Sequence, residues 1–268
     1  MPDRAGTLTQ AAFEERFLRI RPQLVSFLFR ITTNRQDAED LAQDTYLKAL
    51  DKRAGFAGKS SLKTWIFAIA TNLARDHFRV RHRWREDAQD RCRTATQASP
   101  EKVATMREIV ACSPVNRYEF KEHIDYCFTC LAKTLAIEQQ LVLILKDVYG
   151  FRVSEIMEIL QLTEGKVKHA LAQGRRTMID IFDRRCVLVS KQGVCYQCSE
   201  INGFVNPRQA EQEAAVRSTL VQEADAGASK EHLFALRTAL IRGIDPLHAP
   251  GAALHAYLLK LVGDTEDG

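Results

Sequence analysis

The sequence predicts an all-α chain: two small helical domains joined by a flexible linker, followed by a small helical C-terminal extension. Three observations predict it. Apolar residues recur at three-to-four spacing through most of the chain, as helices with one buried face require. Capping residues, glycines and prolines punctuate those runs where helices should begin and end. A length of 268 residues, with an ordinary 46% of hydrophobic residues, suits two or three small domains with real cores.

In the first domain, residues 13–32 place Phe13, Phe17, Ile20, Leu24, Phe27, Leu28 and Ile31 on one helical side. Residues 34–37 offer a cap, and residues 38–50 form a second helix. Leu41, Tyr46, Leu47 and Leu50 are expected inward, with Glu39, Asp40, Gln43 and Asp44 exposed. Its acidic first turn suits the helix dipole; taken alone, such carboxylates are most often a solvated face. The glycine-containing turn over residues 56–61 leads into a helix over 62–81, with Trp65, Ile66, Ile69, Ala70, Leu73 and Phe78 at least partly buried. Trp65 shares its spacing with Ile66 and Ile69, which predicts packing rather than base stacking. From residue 84 to 113 periodicity fades and Pro100 interrupts a charged stretch, so an irregular linker is expected.

The second domain centres on residues 138–178. Leu141, Leu143, Ile144, Leu145 and Val148 make a helical face closed by Gly150, a residue suited to a helix C-terminus. Val153, Ile156, Met157, Ile159 and Leu160 make a second helix, and Thr163 can cap a third. There Val167, Ala170 and Leu171 face inward, while Lys166, Lys168, His169, Gln173, Arg175 and Arg176 project outward. A helix of that polarity can lie in a major groove, where bases offer acceptors and phosphates attract cations. The net charge of +4 is too mild to suggest nucleic acid; the clustering of Arg75, Arg79, Arg81, Arg83 and Arg85, and of residues 166–176, does.

Two stretches carry a resemblance. DAEDLAQDTYLKAL followed by SSLKTWIFAIATNLARDHFRVR resembles the N-terminal conserved domain, region 2, of the extracytoplasmic-function (ECF) family of RNA polymerase sigma factors. The segment from Val153 through Thr163 to Lys168 is similar to the region 4 helix-turn-helix of bacterial sigma factors. The resemblance implies region 2 over 10–85, a linker over 86–113, region 4 over 114–185 and an additional extension over 186–268. It implies that core RNA polymerase is the partner, through its beta-prime clamp helices and beta flap, together with promoter DNA and an anti-sigma factor. Asp37, Glu39, Asp40, Gln43 and Asp44 then fall at the polymerase-docking surface. The loop over 53–61, with Lys59 and Ser60, would hold an unstacked base of the minus-ten element, and Asn72, Arg75, Asp76 and Arg79 lie on the helix approaching that strand. The recognition-helix residues would read the minus-35 element.

Seven cysteines, an odd count, argue against a disulfide framework. His123, Cys127 and Cys130 share one helical face, and Cys186, Cys195 and Cys198 follow the recognition helix. Two Cys-x2-Cys pairs suit one tetrahedral zinc ion on Cys127, Cys130, Cys195 and Cys198, with His123 and Cys186 as substitute ligands. Buried cysteines filling small gaps, or a thiolate cluster sensing metals or oxidants, are the other readings. Cys92 and Cys112 are isolated.

In the extension, a polar helix over 209–224 precedes Leu233, Leu236, Leu240, Ile241, Leu254, Leu258, Leu259 and Leu261, which suit a helical hairpin about Asp245-Pro246. Masking of promoter-binding surfaces, docking on polymerase and bracing of the fold are all open to it. No hydrolase triad, phosphate loop or convergent carboxylate pair occurs, so no enzyme is expected. Without an apolar N-terminal run or membrane-length segment, a cytoplasmic protein is expected. The rival function is a free-standing helix-turn-helix regulator; the acidic helix, which a repressor does not need, separates the two.

Overall fold

The computed structural model describes residues 8–78, 83–112, 120–186 and 220–267. Its α-helices are α1 (Gln10–Thr32), α2 (Arg35–Lys52), α3 (Leu62–Phe78), α4 (Ala88–Gln97), α5 (Pro100–Cys112), α6 (Phe120–Ala132), α7 (Ile137–Leu143), α8 (Val153–Leu160), α9 (Glu164–Arg185), α10 (Leu220–Asp225), α11 (Lys230–Ile241) and α12 (Ala252–Asp267). Among the described residues there is no strand, as an all-α chain requires. The chain divides into two compact units, residues 1–82 with 137–171 and residues 83–136 with 172–268.

In the first unit, Thr9 caps α1 by accepting the Ala12 N–H at 3.3 Å. The helix ends at Thr33, whose left-handed φ of 60° lets its N–H return to the Phe29 carbonyl at 2.7 Å. Asn34 then caps α2 as expected, its side chain accepting the Asp37 N–H at 3.2 Å. The inward stripe of α2 differs from the expected one: Ala38, Leu41, Ala42, Thr45 and Ala49 are buried, whereas Leu47 is 53% exposed. Small residues allow α2 to approach α1 closely, and the larger Tyr46 and Leu50 sit at the margin. In α3 the buried set includes Phe67, Thr64 and Thr71 beside Ile66 and Ala70. Trp65 is only half-buried and rests on Phe56, 5.2 Å between ring centroids, where it closes the preceding loop.

The core of this unit joins α1 and α3 to the α7–α8 segment. Phe27 meets Phe67 at 5.1 Å and Tyr149 at 5.6 Å, and Phe67 meets Phe151 at 5.0 Å. Arg30 is wholly enclosed among them. A buried guanidinium is tolerable only when hydrogen-bonded. Its Nη1 donates to Ser26 Oγ at 2.8 Å and to Tyr149 Oη at 2.7 Å, while Gln140 Nε2 donates to the Arg30 carbonyl at 3.3 Å. A π-helical turn, Ile144–Val148, follows α7, and Gly150 reverses the chain with φ 71°, a conformation that favours glycine. Gln161, also left-handed, ends α8, and Thr163 caps α9 through the Lys166 N–H at 3.4 Å.

The second unit overturns the expectation of an irregular linker. Residues 88–97 and 100–112 are helical, and α12 packs along α4 and touches α5. Pro100, read as an interruption, instead starts α5 at the position where a missing N–H costs nothing, and Ser99 caps it through the Lys102 N–H at 3.3 Å. Every described side chain of α6 from Glu122 onward is buried. Helices α11 and α12 lie on either side of Asp245, but α11 packs chiefly on α6 and α12 on α4, α5 and α6, rather than on each other as the expected hairpin would, with Phe234 facing Phe128 at 6.3 Å and His255 stacked on Tyr126 at 5.3 Å. The polar helix expected over 209–224 lies mostly outside the described residues; its described end falls in α10.

Candidate functional site

On α2, helical geometry separates the five acidic and polar candidates into two groups. Asp37 and Glu39 turn toward neighbouring elements: Asp37 lies 3.5 Å from His77 of α3, and Glu39 accepts from Arg21 of α1 at 2.5 Å. Asp40, Gln43 and Asp44 stay exposed. Asp40 accepts a hydrogen bond from Gln36 at 2.8 Å, which leaves the face negatively charged. Beside it runs a groove of about 470 Å³ between α1 and α2, lined among others by Phe17, Leu18, Gln43, Tyr46 and Leu47. Leu18 is 66% exposed, so an apolar strip lies next to the carboxylates. Sequence reasoning missed that strip. The signal was present in the consistent 38, 41, 42, 45, 49 stripe, which leaves position 47 outside.

The loop candidates Lys59 and Ser60 precede α3, with Lys59 exposed and Ser60 half-buried. Gly58 sits at φ 65°, and Ser61 caps α3 by accepting the Thr64 N–H at 3.0 Å, so the loop has a fixed exit. Asn72 and Asp76 are exposed on α3. Arg75 is held by the α7–α8 segment: its Nη1 donates to the Leu160 carbonyl at 3.1 Å and its Nη2 lies 3.7 Å from Glu138. For Arg75 to meet a nucleic-acid strand, those contacts must be exchanged. Lys63 packs over the Phe151 ring at 4.7 Å, and burial pushes its pKa below the usual lysine value. Arg79 lies outside the described residues.

Helix α9 presents the arrangement that its sequence predicts. Val167, Ala170, Leu171 and Met178 are buried, while Lys166, Lys168, His169, Gln173 and Arg176 are exposed. Arg175 is half-buried. Lys168 bridges to Glu164 one turn earlier at 2.6 Å, and that partner holds the Glu164 carboxyl below its ordinary pKa. The outward face therefore offers donors and cations along about three turns, enough to span a groove.

The thiol candidates fall on either side of the described boundary. Cys127 and Cys130 are buried one turn apart on α6, and Cys186 is buried at the end of α9. Cys195 and Cys198 lie outside the described residues. His123 is buried on α6, and burial pushes its pKa down to about 4, so its imidazole is neutral at pH 7. Among the described residues no group of three or more His, Cys, Asp or Glu is arranged to hold a metal. Cys92 is buried on α4 and Cys112 is exposed. Among the described residues no helix is long and apolar enough to cross a membrane.

Comparison with known proteins agrees with this geometry. Sigma-70 region 2 matches residues 17–85, and Sigma-70, region 4 matches residues 126–178. The ECF RNA polymerase sigma factor SigX of Bacillus subtilis is 29% identical over 163 residues, covering 58% of this chain and 75% of SigX. RNA polymerase sigma factor YlaC of the same organism is 29% identical over 166 residues, covering 61% of this chain and 88% of YlaC. The ECF sigma factor SigG of Mycobacterium tuberculosis is 31% identical over 166 residues, covering 58% of this chain but 44% of SigG, so this chain spans under half of that longer relative. A solved sigma factor RpoE, in complex with the anti-sigma factor NepR from Bartonella quintana, is 20% identical and superposes loosely, with a TM-score of 0.45 over 64% of this chain and 96% of that chain. With an acidic α2 face in the first matched region, a basic recognition helix in the second, and relatives aligned across both, the chain belongs to the ECF family of RNA polymerase sigma factors.

Proposed function

We propose that this chain binds core RNA polymerase and directs it to specific promoters as an ECF sigma factor. One observation carries the reading: the two sigma-70 regions stand in order on a single chain, the first with an exposed acidic face and the second with an exposed basic recognition helix. Asp40, Gln43 and Asp44, with Asp37 and Glu39 behind them, meet the beta-prime clamp helices, and region 4 meets the beta flap. Lys59, Ser60, Asn72, Arg75, Asp76 and Arg79 engage the minus-ten element, where an opened duplex needs cations for the backbone and a pocket for an unstacked base. Lys166, Lys168, His169, Gln173, Arg175 and Arg176 engage the minus-35 element, with phosphate contacts setting position and base contacts setting sequence. Bond-making belongs to the polymerase; this chain supplies recognition. An anti-sigma factor belongs to the partner set and would have to cover these same surfaces to silence them. The site of action is the cytoplasm.

The proposal extends to one zinc ion on Cys127, Cys130, Cys195 and Cys198, supported by the two Cys-x2-Cys spacings, with the neutral His123 and Cys186 as substitute ligands. The test is transcription by purified core polymerase plus this protein on a genomic fragment library, with and without a zinc chelator, with metal content measured on the same preparation. Discrete transcripts and one zinc per chain are expected. No specific transcript in either condition would overturn the sigma-factor reading, and protein prepared with zinc in the medium that retains none would overturn the metal site.

A further inference from the structure

The segment between the two matched regions is rich in charge and poor in apolar surface, yet it is helical. Helix α4 buries only Ala88, Cys92 and Thr96, all small, and α5 buries only Met106. Helices of 10 and 13 residues are marginal in water by themselves, so tertiary contact must hold them.

Helix α12 supplies that contact. Near its C-terminus, Glu266 accepts from Arg91 Nη1 at 2.8 Å and from the Arg85 backbone N–H at 2.8 Å, while Arg91 Nη2 donates to the Thr265 carbonyl at 3.3 Å. The Glu266 side chain is only 6% exposed. A carboxylate so withdrawn from water depends on its donors, and losing one leaves a costly buried charge. The other end of α12 is fixed to α6. The Gly251 N–H donates to Glu122 Oε2 at 2.6 Å, and a Cβ at position 251 would run into that carboxylate and crowd the His255 ring. Helix α12 thus has an anchored end on α6 and a gripping end on α4.

We propose that α12 is an intramolecular docking surface whose partner is the linker helix α4, and that the C-terminal extension thereby limits how far the two promoter-binding regions, which pack on each other through α3 and α8, can separate when that packing opens. Packed as helices, the 10 and 13 residues of α4 and α5 extend at most roughly 35 Å end to end. Released and extended, the same residues extend up to roughly 75 Å. The docked state therefore shortens the tether by about half. The consequence for promoters rests on the sigma-factor reading; the docking itself does not.

The test uses two variants of the whole protein, Glu266→Gln and a truncation after Val262, read by amide hydrogen exchange and by transcription with core polymerase. Exchange over residues 88–97 should speed up at least tenfold in both variants, with exchange over residues 120–132 unchanged. Pairing Glu266→Arg with Arg91→Glu should recover part of the protection that either single change loses, because the reversed pair renews the ion pair but not the bonds to the Arg85 N–H and the Thr265 carbonyl. Unchanged exchange over 88–97 in Glu266→Gln, or no restoration by the charge swap, would overturn the docking. If the truncation also loosens 120–132, the point variant decides. Transcript yield from the freed variants should rise at least threefold; an equal or lower yield would overturn the reach argument. Absence of transcripts from wild type and variants alike would instead count against the sigma-factor reading, while the exchange results would still decide the docking.

Discussion

His123 and His255 lie buried around Tyr126, with Glu122 beside His255 where both approach Gly251. Burial pushes His123 down to about 4; burial, and then the nearby His123, push His255 down to about 3. Both imidazoles are therefore neutral in the folded chain across a range where the unfolded chain takes up protons. Between their folded pKa values and about pH 6.5 the unfolded state binds more protons, so stability rises with pH there. The full contribution is present above about pH 6.5 and is lost as pH falls toward 4, by an amount on the order of 3 kcal/mol from His123 alone. Urea unfolding at pH 7 and pH 5 should give a lower midpoint at pH 5, and His123→Asn should flatten that dependence. An equally steep dependence in the variant would sink this account. Neither this burial nor the shift could be read from sequence, because α6 carries no signal that its polar face is covered. What covers it includes a helix more than a hundred residues away.

At the scale of elements, α2 and α9 bear separable surfaces. Charge reversal at Asp40 and Asp44, both exposed and on one face, should weaken association with core polymerase at least tenfold while leaving upstream DNA binding unchanged. Arg176→Ala, at an exposed position of α9, should do the converse, and the slope of log affinity against log salt should shrink by about one if it neutralises a phosphate. Fluorescence anisotropy with labelled core polymerase and labelled minus-35 duplex measures both. If either variant impaired both activities equally, the division of labour would fail. The element boundaries behind this prediction were legible because they are local. Asn34 and Thr163 cap the helices that they were expected to cap, and the 167, 170, 171 stripe of α9 is buried as its spacing demands. The inward face of α2 was less legible, since side-chain size favours Leu47 for the core where alanines and a threonine pack instead.

For the whole molecule, the C-terminal extension is part of the fold of the second unit. Phe234 faces Phe128 and Phe182 at 6.3 Å each, and Leu254, Leu258, Leu259 and Leu261 are buried. Truncation after Arg185 uncovers α6 and should lower stability by at least about 3 kcal/mol, the usual cost of emptying an apolar contact. Thermal unfolding should show the loss as a drop of about 6–12 °C for a chain of this size, and an unchanged midpoint would make the extension a mere appendage. The sequence by itself determined the all-α class, the two sigma regions, their order and the outward chemistry of α9, because caps and three-to-four spacing are properties of neighbouring residues. Only the tertiary structure decided that the linker is helical, that Arg75 is held by Leu160 and Glu138, and that Glu266 grips Arg91. Each of these depends on burial supplied by a distant segment, and a short polar stretch such as α4 gives no local sign that another helix will cover it.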